Sequence, residues 1–133
     1  MKTIFFVHDS QETPATRQGY LTASGFQVRL MTNGHQLLSA LEKEAPALVL
    51  LDVFLEGKNG FDVCQDVHLK YRERAFPIVL CTHIYRGRQF RDEALRLGAN
   101  DYLVLPLAFE DFIDRIGKTL TSYAPGQGET RAA

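Results

Sequence analysis

The sequence predicts an α/β domain built on a doubly wound parallel sheet with helices on both faces. Five short strand-like runs alternate with five helix-like stretches along the 133 residues. The run Ala47–Leu51 is apolar at every position, which is typical of a central parallel strand that is covered on both sides. An alternating second run indicates an early edge strand. Together these features predict a (βα)5 three-layer sandwich with the strand order 2-1-3-4-5.

The predicted strands are short and bounded by turn-forming or polar residues. Four of them are largely apolar, whereas the second alternates apolar positions (Phe26, Val28, Leu30) with Gln27 and Arg29. Such alternation favours a strand with one face in water, at the edge of the sheet. The five predicted strands are Thr3–Val7, Phe26–Met31, Ala47–Leu51, Pro77–Cys81 and Asp101–Leu105.

The helices are indicated by capping residues and by apolar stripes. Thr13 precedes Pro14 at a predicted first helical position, Asn33 and Asn59 are suited to cap two further helices, and Gly98 can end the fourth. The stripes recur every three or four residues and are predicted to face the core. They comprise Leu37, Leu38 and Leu41; Phe61, Cys64, Val67 and Tyr71; Phe90, Ala94 and Leu97; and Phe109, Phe112, Ile113, Ile116 and Leu120.

Composition narrows the class of protein. The predicted domain covers residues 1–122, and residues 123–133 lack apolar periodicity, which predicts a flexible tail or the stub of a linker.

A net charge of −1 gives no electrostatic reason to bind nucleic acid or an anionic membrane, and no apolar run approaches the roughly 18 residues of a membrane span. Cys64 and Cys81 fit neither a metal-binding spacing nor a disulfide framework, so we expect reduced, buried thiols in a cytoplasmic protein.

Polar groups follow several strands at the predicted carboxyl edge of the sheet. His8 and Asp9 follow the first strand, Asp52 the third, Thr82 the fourth and Leu105 closes the fifth. Two carboxylates from neighbouring strands can share Mg²⁺, and a metal-neutralised carboxylate beside a hydroxyl can accept a phosphoryl group. The alternative is that Asp9 and Asp52 merely cap the loops that follow them.

Three stretches resemble the receiver domain of two-component response regulators, and the resemblance spans about Lys2 to Leu120. They are Leu48–Cys64, Pro77–Thr82 and Ala94–Leu103, in that order and spacing. The resemblance implies a flavodoxin-like fold and a non-enzymatic signalling role in a phosphorelay. It also implies a histidine kinase or phosphotransfer protein as donor, and a downstream protein bound through the face formed by helix 4, strand 5 and helix 5. Homodimerisation through that face stays open.

The same resemblance assigns roles to individual residues. It implies that Asp52 accepts the phosphoryl group, and that Mg²⁺ is held by Asp9, Asp52 and the backbone carbonyl of Phe54. Thr82 would be the switch hydroxyl and Tyr102 the switch aromatic. Phe54 also stands two residues after the acceptor, where a bulky apolar side chain is expected to slow hydrolysis of the acyl phosphate. The alternative is that Phe54 only covers the edge of the core.

Two positions depart from the family pattern. His8 replaces the first of two adjacent acids, which predicts weak Mg²⁺ binding, because imidazole is a poor ligand for this ion. Leu105 replaces a lysine, which removes a charge-assisted bond typically worth ~1.5–3 kcal/mol. A protonated His8 that donates to the phosphoryl group would offset part of this loss.

These departures keep a second function open, that of a degenerate receiver acting as a phosphorylation-independent interaction module. A flavin or dinucleotide enzyme of similar architecture is disfavoured. The loop His8–Thr13 contains no glycine to cradle a phosphate.

Overall fold

The computed structural model describes residues 1–125 and has the predicted architecture. All five strands are parallel, in the order β2-β1-β3-β4-β5. Residues 126–133 lie outside the described residues, so the predicted tail stays a prediction. The elements are β1 Thr3–Val7, α1 Ala15–Ala23, β2 Gln27–Met31, α2 Gly34–Leu41, β3 Leu48–Asp52, α3 Gly60–Lys70, β4 Ile78–Thr82, α4 Arg88–Arg96, β5 Asp101–Val104 and α5 Phe109–Ser122.

The register of the sheet brings the carboxyl ends of the strands to one edge. In β3, Leu51 pairs with Val7 of β1, and Asp52 pairs with Cys81 of β4. Thr82 then pairs with Val104 at the end of β5. Because the strands are parallel and in step, the residues that follow them emerge together.

Two apolar layers flank the sheet, since successive strand residues point to opposite faces. Phe5 packs in the layer covered by α2, α3 and α4, whereas Phe6 packs in the layer covered by α1 and α5. Both phenyl rings are fully buried. Burial of each such side chain contributes roughly 1.5–3 kcal/mol of transfer free energy.

The predicted helix ends are largely confirmed. The Asn33 side chain accepts the Gln36 N–H at 2.9 Å, and the Asn59 side chain accepts the Asp62 N–H at 3.1 Å. Gly98 follows α4 with φ +111°, as a left-handed helix stop requires. At α1 the prediction is one residue early: the helix begins at Ala15, whose N–H donates to Thr13 Oγ1 at 3.2 Å.

Two apolar residues predicted to face the core are exposed. Leu30 is 41% exposed because β2 is the edge strand, where helical cover is incomplete. Phe109 is 40% exposed in the first turn of α5, where its ring packs edge-to-face with Tyr20, with centroids 5.2 Å apart. The strand boundaries shift by one residue at four of the five strands, and β1 is unchanged.

Gly60 sets how closely α3 approaches the end of β3. Its N–H donates to the Val53 carbonyl at 2.7 Å. A Cβ at this position would lie 2.2 Å from the Asp52 carbonyl oxygen and 2.8 Å from Val53 Cα. Both are backbone atoms that cannot move aside, so only glycine lets α3 begin here, directly beneath Asp52.

We therefore expect Gly60→Ala to lower the free energy of unfolding by roughly 1–3 kcal/mol, because the added methyl group overpacks the backbone. Gly19→Ala is the matched control, since a Cβ there meets nothing within 4 Å on an exposed helix position. That substitution should raise stability by about 0.5–1 kcal/mol. Urea unfolding of both variants measures the difference, and equal shifts would contradict this account.

Candidate functional site

A cleft of about 210 Å³ opens at the carboxyl edge of the sheet. It brings together four residues that the sequence singled out, namely Asp9, Asp52, Phe54 and Thr82. Tyr102 does not line the cleft. The remaining lining residues are Glu12, Cys81, His83 and Ile84.

Asp52 is the buried carboxylate of this cleft, with only 6% of the residue exposed. Its Oδ2 accepts the backbone N–H of Asp9 at 3.0 Å. Both oxygens also accept from the guanidinium of Arg17: Nη1 lies 2.5 Å from Oδ1 and Nη2 lies 2.9 Å from Oδ2. The carboxylate is thus fixed in position by two elements, the β1–α1 loop and α1.

Arg17 is a residue that the sequence analysis missed. It lies four positions before Leu21 on the buried face of α1, and its guanidinium stacks over the Phe6 ring at 4.6 Å from the centroid. Burial is the largest single influence and lowers the pKa of Arg17. The hydrogen bonds to Asp52, together with the negative charge of Asp52 and the influence of Cys81, outweigh it and leave that pKa above its usual value. The signal that could have revealed it was a cation at helical spacing from a core leucine.

Asp9 and His8 have different surroundings. Asp9 lines the cleft, and its Oδ1 accepts the Gln11 N–H at 2.9 Å. His8 is buried instead, with its ring edge against Phe6, and its Nδ1 lies 3.0 Å from the Asp9 carbonyl oxygen. Since a carbonyl oxygen only accepts, Nδ1 is the protonated nitrogen in this contact. His8 therefore supports the backbone of Asp9 and is not one of the residues lining the cleft.

Thr82 connects the cleft to the β4–α4 loop. The residue is buried, and its Oγ1 accepts the N–H groups of Ile84 at 3.1 Å and Tyr85 at 3.2 Å. A hydroxyl that moved toward Asp52 would give up these two bonds. The position of this loop is thus tied to the position of the Thr82 hydroxyl.

Aromatic rings extend from the cleft toward α4. Phe54 is 38% exposed and packs on Tyr85, which stacks on Phe90 with centroids 4.9 Å apart. Tyr102 is buried, and its hydroxyl donates to the Tyr85 carbonyl at 2.7 Å. Burial raises the pKa of Tyr102 to about 12, so the ring is neutral and its hydroxyl remains a donor at neutral pH.

The end of β5 contributes no charge to the site. Leu105 is 4% exposed and packs in the layer covered by α1 and α5. Its N–H donates to the Thr82 carbonyl at 2.7 Å, and its own carbonyl accepts from Arg86 at 3.0 Å. Leu105 and Arg17 line one groove beside the cleft.

An ion cluster lies on the neighbouring face formed by α4, β5 and α5. Asp101 accepts from Arg91 at 3.0 Å, and from the Nη2 and Nε of Arg115 at 2.7 and 2.9 Å. Burial would raise the pKa of Asp101, but hydrogen bonds from Arg115 and from the Tyr102 N–H outweigh it and leave that pKa below its usual value.

The cleft offers oxygen donors of the type that a hard cation prefers, but only a few of them. Within residues 1–125, no three His, Cys, Asp or Glu side chains cluster as metal ligands. The two carboxylates, Asp9 and Asp52, are oxygen donors of the type that Mg²⁺ prefers. A backbone carbonyl would have to complete the protein ligands, and Arg17 already engages Asp52.

No helix described in residues 1–125 is long and apolar enough to cross a membrane.

Comparisons with known proteins agree with the fold. Residues 4–117 match the response regulator receiver domain family. The chain is 34% identical over 115 residues to the transcriptional regulatory protein GltR of Pseudomonas aeruginosa, covering 86% of this chain and 47% of that protein. It is 36% identical over 104 residues to the transcriptional regulatory protein RstA of Escherichia coli, covering 78% of this chain and 42% of that one. The chain thus spans about half the length of these relatives.

Solved structures show the same architecture. The BeF3-activated N-terminal receiver domain of Klebsiella pneumoniae RstA superposes with a TM-score of 0.78 at 29% identity, covering 89% of this chain and 97% of that domain. A two-component response regulator from Clostridium difficile gives 0.80 at 22% identity, covering 92% and 98% of the two chains. The second likeness shows the fold alone.

The fold and these comparisons thus define a signalling domain of the receiver class. This chain belongs to the response regulator receiver domain family of two-component systems. Receiver domains are generally non-enzymatic signalling domains, and they typically bind Mg²⁺.

The ion cluster on the α4–β5–α5 face should stabilise the fold in a pH-dependent way. We expect Asp101→Asn to lower the free energy of unfolding at pH 7 by about 1–2 kcal/mol, discounted because both arginines are partly exposed. The native pKa of Asp101 is depressed, so this stabilisation is complete above the unfolded value near 3.8. It is lost as the pH falls through the folded pKa.

Urea unfolding at pH 7 and at progressively lower pH measures the effect, which should disappear in acid. Glu93→Gln is the control, because the Glu93–Arg96 pair is exposed and should contribute little. A difference between wild type and Asp101→Asn that persisted unchanged at the lowest pH would contradict the argument.

Proposed function

We propose that Asp52 is the phosphoryl-accepting residue of this receiver, and that its donor is a histidine kinase or a phosphotransfer protein. The strongest support is the position of Asp52 at the end of a central strand, in a cleft that Asp9 and Thr82 also line. An Asp52 oxygen would form the bond to phosphorus. The P–N bond of the donor phosphohistidine would break, and its electron pair would return to the imidazole.

Asp9, Asp52 and the Phe54 carbonyl are the groups that would hold Mg²⁺. When bound, the ion would neutralise charge on the carboxylate and on the incoming phosphoryl group. Two features weaken its binding in this proposal. His8 stands where a third acid would add negative charge, and Arg17 brings a positive charge to Asp52.

Thr82 and Tyr102 would carry the signal away from the cleft. A phosphoryl group on Asp52 would offer new acceptors to the Thr82 hydroxyl, which now holds the N–H groups of Ile84 and Tyr85. Movement of this loop would act on Tyr102, because the Tyr102 hydroxyl is bonded to the Tyr85 carbonyl. The changed surface is then the α4–β5–α5 face.

That face is proposed to bind a downstream protein partner or a second copy of the domain. It presents charged groups of both signs around Asp101, which suits a reciprocal contact between two copies. Nucleic-acid and membrane binding are not part of the proposal, given the net charge of −1. A cytoplasmic location is part of it, and it rests on family membership and on the free, buried cysteines.

The first test is phosphorylation with acetyl phosphate and Mg²⁺, followed by intact mass spectrometry. We expect an adduct of about 80 Da, the mass of one phosphoryl group, that is absent from Asp52→Asn. Asp92→Asn, at an exposed position of α4, is the control and should keep the adduct. Absence of any adduct at saturating Mg²⁺ would instead favour the phosphorylation-independent interaction module.

The Phe54 ring is proposed to shield the acyl phosphate from water. It lines the cleft beside Asp52 and is held there by Tyr85. We expect Phe54→Asn to lose the phosphoryl group several-fold faster, measured as decay of the adduct after removal of the donor. Phe109→Asn is the matched control, because Phe109 is equally exposed but lies on α5, away from the cleft. Identical decay rates in wild type and Phe54→Asn would contradict the shielding.

A further inference from the structure

The pair between Arg17 and Asp52 is built into the interior of the protein. The two side chains are only 10% and 8% exposed, and both guanidinium nitrogens engage separate carboxylate oxygens. Such a fork is more specific than a point charge and positions a planar acceptor precisely in angle and distance. Exposed pairs elsewhere in the protein, such as Arg29 with Glu44, lack this enclosure.

Apolar side chains lie beside the Arg17 guanidinium where it meets Asp52. One face of the group rests on the Phe6 ring at 4.6 Å. The uncharged Leu105 side chain lines the same groove as Arg17, so the end of β5 brings no competing cation. Arg17 thus reaches Asp52 from α1 over apolar side chains. Such surroundings favour a guanidinium, because it is more weakly hydrated than an ammonium group.

Charge changes at Asp52 would act directly on Arg17. The ionised carboxylate carries one negative charge, whereas an aspartyl phosphate carries nearly two, spread over three further acceptor oxygens. The cation already in contact with Asp52 is Arg17. Guanidinium groups bind phosphoryl oxygens in the same forked geometry as they bind carboxylates.

Arg17 also opposes a metal ion at the unphosphorylated site. Asp9 and Asp52 together carry two negative charges, and Arg17 reduces the net charge to −1. A divalent cation would have to bind a carboxylate whose two oxygens are already engaged by a buried guanidinium.

From these contacts we propose that Arg17 is the resident cation of the Asp52 site: it occupies the carboxylate and opposes Mg²⁺ before phosphorylation, and it binds the phosphoryl oxygens afterwards. The second half of this assignment depends on the proposed phosphorylation of Asp52, whereas the first half does not. In this proposal Arg17, on α1, supplies the positive charge that the uncharged Leu105 at the end of β5 does not.

The first measurement is Mg²⁺ binding to the unphosphorylated protein, followed by amide NMR shifts. We expect Arg17→Gln to bind Mg²⁺ about tenfold more tightly than wild type, since loss of one adjacent charge is worth on the order of one power of ten. Arg29→Gln is the matched control, because Arg29 also stacks on a phenylalanine and pairs with a carboxylate but lies outside the cleft. Unchanged Mg²⁺ affinity in Arg17→Gln would overturn the proposal.

The second measurement is the affinity for beryllofluoride, a phosphoryl mimic, with Mg²⁺ saturating for every variant. Arg17→Gln should bind it at least tenfold more weakly, and the double variant Arg17→Gln with Leu105→Lys should regain most of that loss. Equal affinity in wild type and Arg17→Gln would overturn the assignment of Arg17. Absence of mimic binding in wild type would count against phosphorylation at Asp52 itself, so the two failures are distinct.

Circular dichroism melting of each variant establishes that it is folded before titration. Should Arg17→Gln fail to fold, Arg17→Lys replaces it, because lysine keeps the charge but cannot form the fork. In that variant a beryllofluoride affinity below that of wild type supports the proposal, and an affinity equal to wild type overturns it.

Discussion

The ion pair between Asp52 and Arg17 is the interaction around which this end of the molecule is organised. A carboxylate at the end of a buried strand loses hydration and needs a partner, and that partner arrives from α1 over the Phe6 ring. The Asp9 N–H completes the environment of the same carboxylate. The Asp52 carboxylate is therefore held in one position, which is what its proposed role as phosphoryl acceptor requires.

This arrangement changes how the departures from the family pattern are understood. Taken alone, the predicted loss of a cation at Leu105 and of an acid at His8 would both weaken the proposed phosphorylation site. In the structure, an uncharged Leu105 lies beside a groove that Arg17 also lines. His8 supports the Asp9 carbonyl from inside the fold. Under the proposal for Arg17, the site carries one acid fewer than the family pattern and takes its cation from α1 instead of from the end of β5.

The proposed signal route runs through hydrogen bonds that the buried Thr82 and Tyr102 make to the β4–α4 loop. Thr82 Oγ1 serves two backbone N–H groups of the β4–α4 loop, and Tyr102 serves the Tyr85 carbonyl in that same loop. The loop is therefore coupled to both the cleft and the α4–β5–α5 face.

The sequence alone determined the strand order, the helix caps at Asn33 and Asn59, and the carboxyl edge where Asp52 emerges. These follow from local patterns, namely apolar runs, capping residues and the alternation of strands and helices. Only the tertiary structure decided that Arg17 reaches Asp52, 35 residues away in the chain. That contact depends on how α1 packs against the sheet and on which residues line its path, and no local pattern carries this information. The exposure of Leu30 and Phe109 was likewise not predictable from the sequence. Burial depends on which neighbouring elements cover a residue, and local patterns do not show this.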